Sequence, residues 1–97
     1  MVPNRKNIII TCDDFGMHES INRAALKTYQ NNMLDQVSLV SNGLAFDDAI
    51  ETLKKMPDVR VGFHFNIIEG FPVAPNEYVS TLLNSEGLFS ISHSKGL

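Results

Sequence analysis

Ile8-Ile9-Ile10-Thr11-Cys12-Asp13-Asp14-Phe15-Gly16 is the stretch on which the reading of this chain turns. Three consecutive β-branched residues with no charge among them predict a strand buried on both faces, as in parallel sheets. The two carboxylates that follow stand at the carboxyl end of that strand, where sheets and barrels of the α/β type place their sites. Gly16 then lets the chain turn. Adjacent residues of a regular strand point to opposite faces, so only one of Asp13 and Asp14 can face a site unless the strand gives way there. Taken alone, the pair is equally at home as a helix cap or a solvated turn, because Asp accepts hydrogen bonds from nearby backbone N–H groups.

Outward from this stretch, the pattern alternates. Ile21, Ala24, Ala25, Thr28 and Tyr29 share one face of a helix over Glu19 to Asn31, stopped by Asn31-Asn32. Gln36 to Val40 reads as a second strand, closed by Ser41-Asn42-Gly43. Phe46, Ala49, Ile50 and Leu53 mark a second amphipathic helix with Asp47 and Asp48 in its first turn, a Glu51 to Lys55 i,i+4 pair, and Pro57 as its stop. Val59 to Phe65 is the third strand and carries His64 and Asn66 towards its far end. Strand, helix, strand, helix, strand with short connections is the signature of a parallel α/β fold, a βαβαβ unit over about residues 7–66. Right-handed crossovers bring all three strand ends to one side, so Asp13, Asp14, Asn42, His64 and Asn66 should cluster. Ile8 to Thr11 and Arg60 to His64 are expected as neighbouring parallel strands.

From about residue 67 to 97 the chain is loop-rich. Phe71-Pro72-Val73-Ala74-Pro75 is expected to lie over the strand ends, since two prolines exclude helix and central strand. Tyr78, Val79, Leu82 and Leu83 suit a short helix, Glu86 to Phe89 a turn, and Ser90 to Leu97 carries no pattern.

The 97 residues fit at most one small domain, and 43% apolar content is ordinary for a soluble protein. A net charge of -3 offers no basic patch, which argues against nucleic acid and anionic membrane as partners. No transmembrane run or signal-peptide core is present. One cysteine, Cys12, excludes an internal disulfide framework and points to a reducing, cytoplasmic setting. Its carboxylate neighbours should raise its pKa, which makes it a poor thiolate nucleophile.

His64, between Phe63 and Phe65, could be a core histidine bonded to a carbonyl. The alternation argues otherwise, because His64 and Asn66 share the face opposite the two phenylalanines. A neutral imidazole together with a first-strand Asp is a standard pair of ligands for a first-row metal ion, with Zn²⁺, Mn²⁺, Co²⁺ and Fe²⁺ about equally suited. His18 and His93 lie in loop-like sequence and are weaker candidates. Asp14-Phe15-Gly16 also spells the magnesium motif of protein kinases, but 13 residues leave no room for the rest of that site.

The first stretch, then Ile21-Asn22-Arg23, Ser38-Leu39-Val40-Ser41-Asn42-Gly43 with Ala45-Phe46, and Val61-Gly62-Phe63-His64-Phe65-Asn66 with Glu69-Gly70, resemble the YdjC-like carbohydrate deacetylases in the same order. Pro72-Val73 and the segment from Leu82-Leu83 to Gly87-Leu88-Phe89 also fit. The resemblance implies a TIM-like (β/α) barrel, one divalent ion, with Mg²⁺ or Zn²⁺ foremost, and an acetylated mono- or oligosaccharide as substrate. It implies Asp14 and His64 as metal ligands and Asp13 as general base, with Asn42, Asn66 and Glu69 as weaker candidates for contacts to substrate or to the ligands. The family draws a further histidine ligand from a downstream histidine-rich segment that has no counterpart here. Three strands also cannot close a barrel that typically takes about 250 residues. The chain is therefore expected to be an amino-terminal part of a deacetylase, inactive by itself and self-associating through its open third strand. A non-catalytic remnant or sugar-binding module is the alternative. A Mg²⁺-dependent phosphoacceptor module fits less well, since it would need an Asp where His64 stands.

Overall fold

A computed structural model describes residues 7–90 of the chain. In chain order it contains β1 (Thr11–Phe15), α1 (Glu19–Gln30), β2 (Gln36–Leu39), α2 (Phe46–Leu53) and β3 (Arg60–Phe63), followed by two 3₁₀ turns, Asn76–Tyr78 and Ser80–Leu82. The strands form one parallel sheet in the order β1-β2-β3. This is the expected βαβαβ unit. One part of the expectation fails: β1 and β3 are not neighbours, because β2 lies between them. The alternating helices are long enough to move each strand along by one place, and a sequential order results.

Both helices cover the same face of the sheet. Ala25, Leu26 and Tyr29 of α1 and Ala49 and Leu53 of α2 pack with Ile10, Cys12, Phe15, Val37 and Leu39 around Met56 and Leu34. The sheet-facing row of α1 is centred on Asn22 and Ala25, and Ala24 is exposed, one step round from the predicted stripe. On the other face Thr11, Gln36 and Ser38 form a polar row, and the Gln36 side-chain amide donates to Thr11 Oγ1 at 2.8 Å. Among the described residues no helix is long and apolar enough to cross a membrane.

Several boundaries differ from expectation for identifiable reasons. The paired part of β1 starts at Thr11, so Asp13 and Asp14 lie within the strand, and Ile8 and Ile9 are 60% and 55% exposed rather than buried on both faces. β2 begins only at Gln36, so the ladder does not extend to Ile8 and Ile9, and among the described strands β1 is an edge. Val61 and Phe63 align with Val37 and Leu39 in the helix-facing row, but α1 and α2 do not cover β3, and Phe63 is 67% exposed. β3 is also shorter than Val59 to Phe65, although the His64 N–H still donates to Leu39 O at 2.8 Å. Glu51 pairs with Lys54 at 3.1 Å rather than Lys55, and the segment around Tyr78 forms 3₁₀ turns rather than a helix. The turn after Leu83 is present, with Leu83 bridging Phe89. His93 and the patternless tail beyond Ser90 lie outside the described residues.

Gly43 marks the tightest approach among the described glycines. A Cβ there would lie 2.1 Å from the carbonyl oxygen of Gly16, an oxygen that accepts from the Ala45 N–H at 2.9 Å. Only a residue without a side chain lets the β2–α2 turn cross the β1–α1 turn. Gly43→Ala is expected to destabilise the fold by about 1–3 kcal/mol, as overpacking does. Urea unfolding followed by circular dichroism checks this; an unchanged midpoint would contradict it.

Candidate metal centre at the strand ends

The placement of the two carboxylates follows from a one-residue irregularity in β1. Cys12 pairs with Val37 and Phe15 with Leu39, so three steps along β1 match two along β2. Cys12 and Phe15 consequently both face the helices, which a regular strand forbids for residues an odd number apart. The extra residue takes both Asp13 and Asp14 out of the helix-facing row, and both are exposed. Asp14 adopts φ 60° and Gly16 φ 97°. Asp is one of the few side chains that tolerate the left-handed region, so the sequence supplies a suitable residue where the backbone needs it.

His64 continues the polar row of β3 beyond Phe63. Its Nδ1 stands 3.4 Å from Asp14 Oδ1, so residues fifty positions apart meet across β2. That Nδ1 is buried and has no aligned hydrogen-bond partner, although a buried ring nitrogen normally has one. Two ligand atoms each about 2.1 Å from one ion stand about 3.0 Å apart at a right angle and about 3.4 Å apart at the tetrahedral angle. The pair thus has the spacing and chemistry of two ligands of a single divalent ion. Among the described residues no group of three or more His, Cys, Asp or Glu side chains could hold an ion, so Asp13 does not complete a three-ligand set.

Asn42, Asn66 and Glu69 are brought together as well, in a network that fastens the following loop. Asn66 Nδ2 donates to Asn42 Oδ1 at 3.2 Å and to Glu69 O at 3.0 Å, and Asn66 Oδ1 accepts from the Ile68 and Glu69 N–H groups. Asn42 Nδ2 donates to Phe71 O at 3.0 Å. Glu69 enters these bonds through its backbone. The proline-containing segment lies beside the strand ends as expected, and together with β3 it encloses a cavity of about 330 Å³. Phe63, Phe65, Pro72, Val73 and Phe89 line it. Ser41, Asn42 and Asn66 also border it, so Asn66 lies beside the phenylalanines rather than only on the face of His64, and neither Asp14 nor His64 lines the space.

Cys12 has a raised pKa, first because it is buried and then because Asp13 and Asp14 are near, so the thiol stays protonated at neutral pH. His18 sits at the start of α1, exposed and without a side-chain capping bond. The residue that sequence reasoning passed over is Asn22. It is fully buried, accepts from the Gly16 N–H at 2.8 Å, and donates to Ala45 O at 3.1 Å and Asp48 Oδ2 at 3.0 Å. The available signal was a carboxamide at a helix position between Ile21 and Ala25, six residues after the turn glycine.

This arrangement can be set against known proteins. The chain is 30% identical over 84 residues to the carbohydrate deacetylase of Thermoanaerobacter pseudethanolicus, a match covering 87% of this chain and 34% of that protein. It is 34% identical over 86 residues to the carbohydrate deacetylase of Mus musculus, covering 88% of this chain and 27% of that one. The chain spans about a third of the length of the curated relatives it matches. A crystal structure of a proposed cellobiose-phosphate cleavage protein from Enterococcus faecalis V583 superposes with a TM-score of 0.79 at 22% identity, over 90% of this chain and 34% of that one. The likeness is one of fold, and the βαβαβ unit corresponds to part of a TIM-like barrel. The sequence profile of the YdjC-like proteins matches residues 7–96, and the chain belongs to that family.

Proposed function

We propose that this chain carries part of the active centre of a metal-dependent carbohydrate deacetylase, acting on an acetylated mono- or oligosaccharide. The observation that carries the reading is the 3.4 Å approach of His64 Nδ1 to Asp14 Oδ1, with the nitrogen buried and lacking a hydrogen-bond partner. Deacetylase relatives at 30–34% identity support the substrate class.

In this reading Asp14 and His64 hold a divalent ion, with Mg²⁺ or Zn²⁺ foremost. When bound, the ion supplies a Lewis acid that polarises the acetyl carbonyl and makes water a better nucleophile at neutral pH. Asp13, the exposed neighbour of Asp14 in the same irregular stretch of β1, is the base that takes the proton from the attacking water. Asn42 and Asn66 shape the adjoining loop through their mutual hydrogen bond. Catalytic ions of this type usually have three protein ligands. With Asp14 and His64 as the two ligands brought together among the described residues, the 97-residue chain is expected to bind the ion weakly and to release no acetate by itself. The cytoplasm is the compartment we assign, on the single Cys12, which leaves no internal disulfide to be kept oxidised.

Acetate release from N,N′-diacetylchitobiose by the longest available gene product tests the reading. Asp14→Ala and His64→Ala are each expected to weaken ion binding by about tenfold or more. Asp13→Asn is expected to leave ion binding intact and to slow acetate release by about 10²–10⁴-fold. Loss of binding in His18→Ala with retention in His64→Ala would contradict the assignment. Acetate release without any ion dependence would contradict the mechanism, and no release from a complete gene product would favour a non-catalytic module.

The same reading carries a proposal about association. β3 is an edge strand, and its exposed Val61 and Phe63 continue into Phe65, 70% exposed. An apolar open edge favours pairing with a second copy. Size-exclusion with light scattering on the 97-residue chain is expected to give a mass above that of the monomer, and Phe63→Lys to reduce it. A stable monomer at all concentrations would contradict the proposal.

A further inference from the structure

We propose that Asn22 is a positioning residue for the acid pair: its buried side-chain amide fixes the irregular turn of β1 that takes Asp13 and Asp14 away from the helix-facing row. The inference rests on the reading of Asp14 and His64 as ion ligands, and concerns a residue that touches neither ion nor substrate. Asn22 lies on α1, fully buried, and its amide bonds to the turn after β1, to the turn before α2 and to the first turn of α2. Its Oδ1 accepts from the Gly16 N–H, directly after the irregular stretch, and its Nδ2 donates to Ala45 O at the end of the β2–α2 turn and to Asp48 Oδ2 in the first turn of α2. Gly16 O accepts from the Ala45 N–H, so the two turns are tied twice, once through backbone and once through Asn22.

The consequence for the site is geometric. Phe15 must face the core at Leu39 while Cys12 faces it at Val37, and the chain satisfies both only if the residues between them include one extra. Asp14 reaches φ 60° in doing so. The Met17 N–H closes a turn onto Asp14 O at 3.0 Å, and Gly16 at its centre is anchored by Asn22. Without that anchor only the burial of Phe15 opposes relaxation of β1 to a regular ladder. In such a ladder alternation returns one of the two carboxylates to the helix side, and the spacing of Asp14 to His64 is lost.

The experiment is NMR on the 97-residue chain as wild type, Asn22→Ala and Leu34→Ala. Leu34 is buried in the same core but stands before β2, at the other end of the strands, so its truncation supplies a matched destabilisation away from the turn. The first readout needs no ion: nuclear Overhauser contacts of Phe15 with Leu39 and of Cys12 with Val37 report the irregular register. The second is paramagnetic broadening of the Asp14 and His64 amides by Mn²⁺. Asn22→Ala is expected to lose the Phe15–Leu39 contacts, keep those of Cys12 with Val37, and need about tenfold or more Mn²⁺ for equal broadening. Leu34→Ala is expected to keep both signatures.

Retention of the Phe15–Leu39 contacts in Asn22→Ala, or an Mn²⁺ response equal to that of Leu34→Ala, would overturn the proposal. If Mn²⁺ broadens neither amide in the wild type, the ion reading fails, and the contacts alone decide the positioning role. Should Asn22→Ala not fold, Asn22→Asp combined with Asp48→Asn decides. It preserves an acceptor for the Gly16 N–H without placing two carboxylates face to face. Phe15–Leu39 contacts kept there support the proposal, and their loss overturns it.

Discussion

The hydrogen bond from the Gly16 N–H to the buried Oδ1 of Asn22 is the constraint on which the site end of this molecule depends. A carboxamide with no access to water must bond all that it can, since a buried polar group left unpaired costs about 1–3 kcal/mol. Asn22 meets the requirement by reaching out of α1 in two directions, to the turn after β1 and to the turn before α2. The two turns therefore cannot move independently. Gly43 is the complement on the other side, because its missing side chain leaves room for the Gly16 carbonyl.

The chemistry at the strand ends is built from this local geometry. A parallel sheet delivers strand ends to one side but says nothing about which side chains reach the same point. That is decided by the extra residue in β1, which changes the alternation between Cys12 and Phe15, and by the strict alternation in β3, which separates His64 from Phe63. His64 is thereby set apart from Phe63, although beyond β3 Asn66 lines the same cavity as the two phenylalanines. Phe63 and Phe65 border an apolar cavity, while Asp14 and His64 meet on the opposite row. Asp14 pays a conformational cost at φ 60° that few residues other than glycine tolerate.

Much of this was legible in the residues. The apolar runs and helical spacing showed three strands and two helices in the right order, because burial of one face imposes a period that survives in the sequence. Strand polarity also placed the acid pair and His64 at the same end of the sheet, while the choice of Asp14 came from the family resemblance. What escaped was information held by neighbours. The three isoleucines read as a buried strand, yet Ile8 and Ile9 are exposed because β1 is an edge and β2 starts later. The irregular register was hidden because it exists only relative to β2. Asn22 escaped because a carboxamide in a helical pattern ordinarily faces water. Asn42 and Asn66 also hold the loop after β3, by bonds that no spacing rule shows.

The central claim is that Asp14 and His64, brought together by the irregular strand, are ligands of one divalent ion. Anomalous diffraction from crystals of this chain grown with Mn²⁺ tests it most directly. The account predicts a peak in the anomalous difference map within bonding distance, about 2.1 Å, of both Asp14 Oδ1 and His64 Nδ1. A well-ordered map with Asp14 and His64 in direct contact, and the only anomalous peak at His18 or elsewhere, would contradict it.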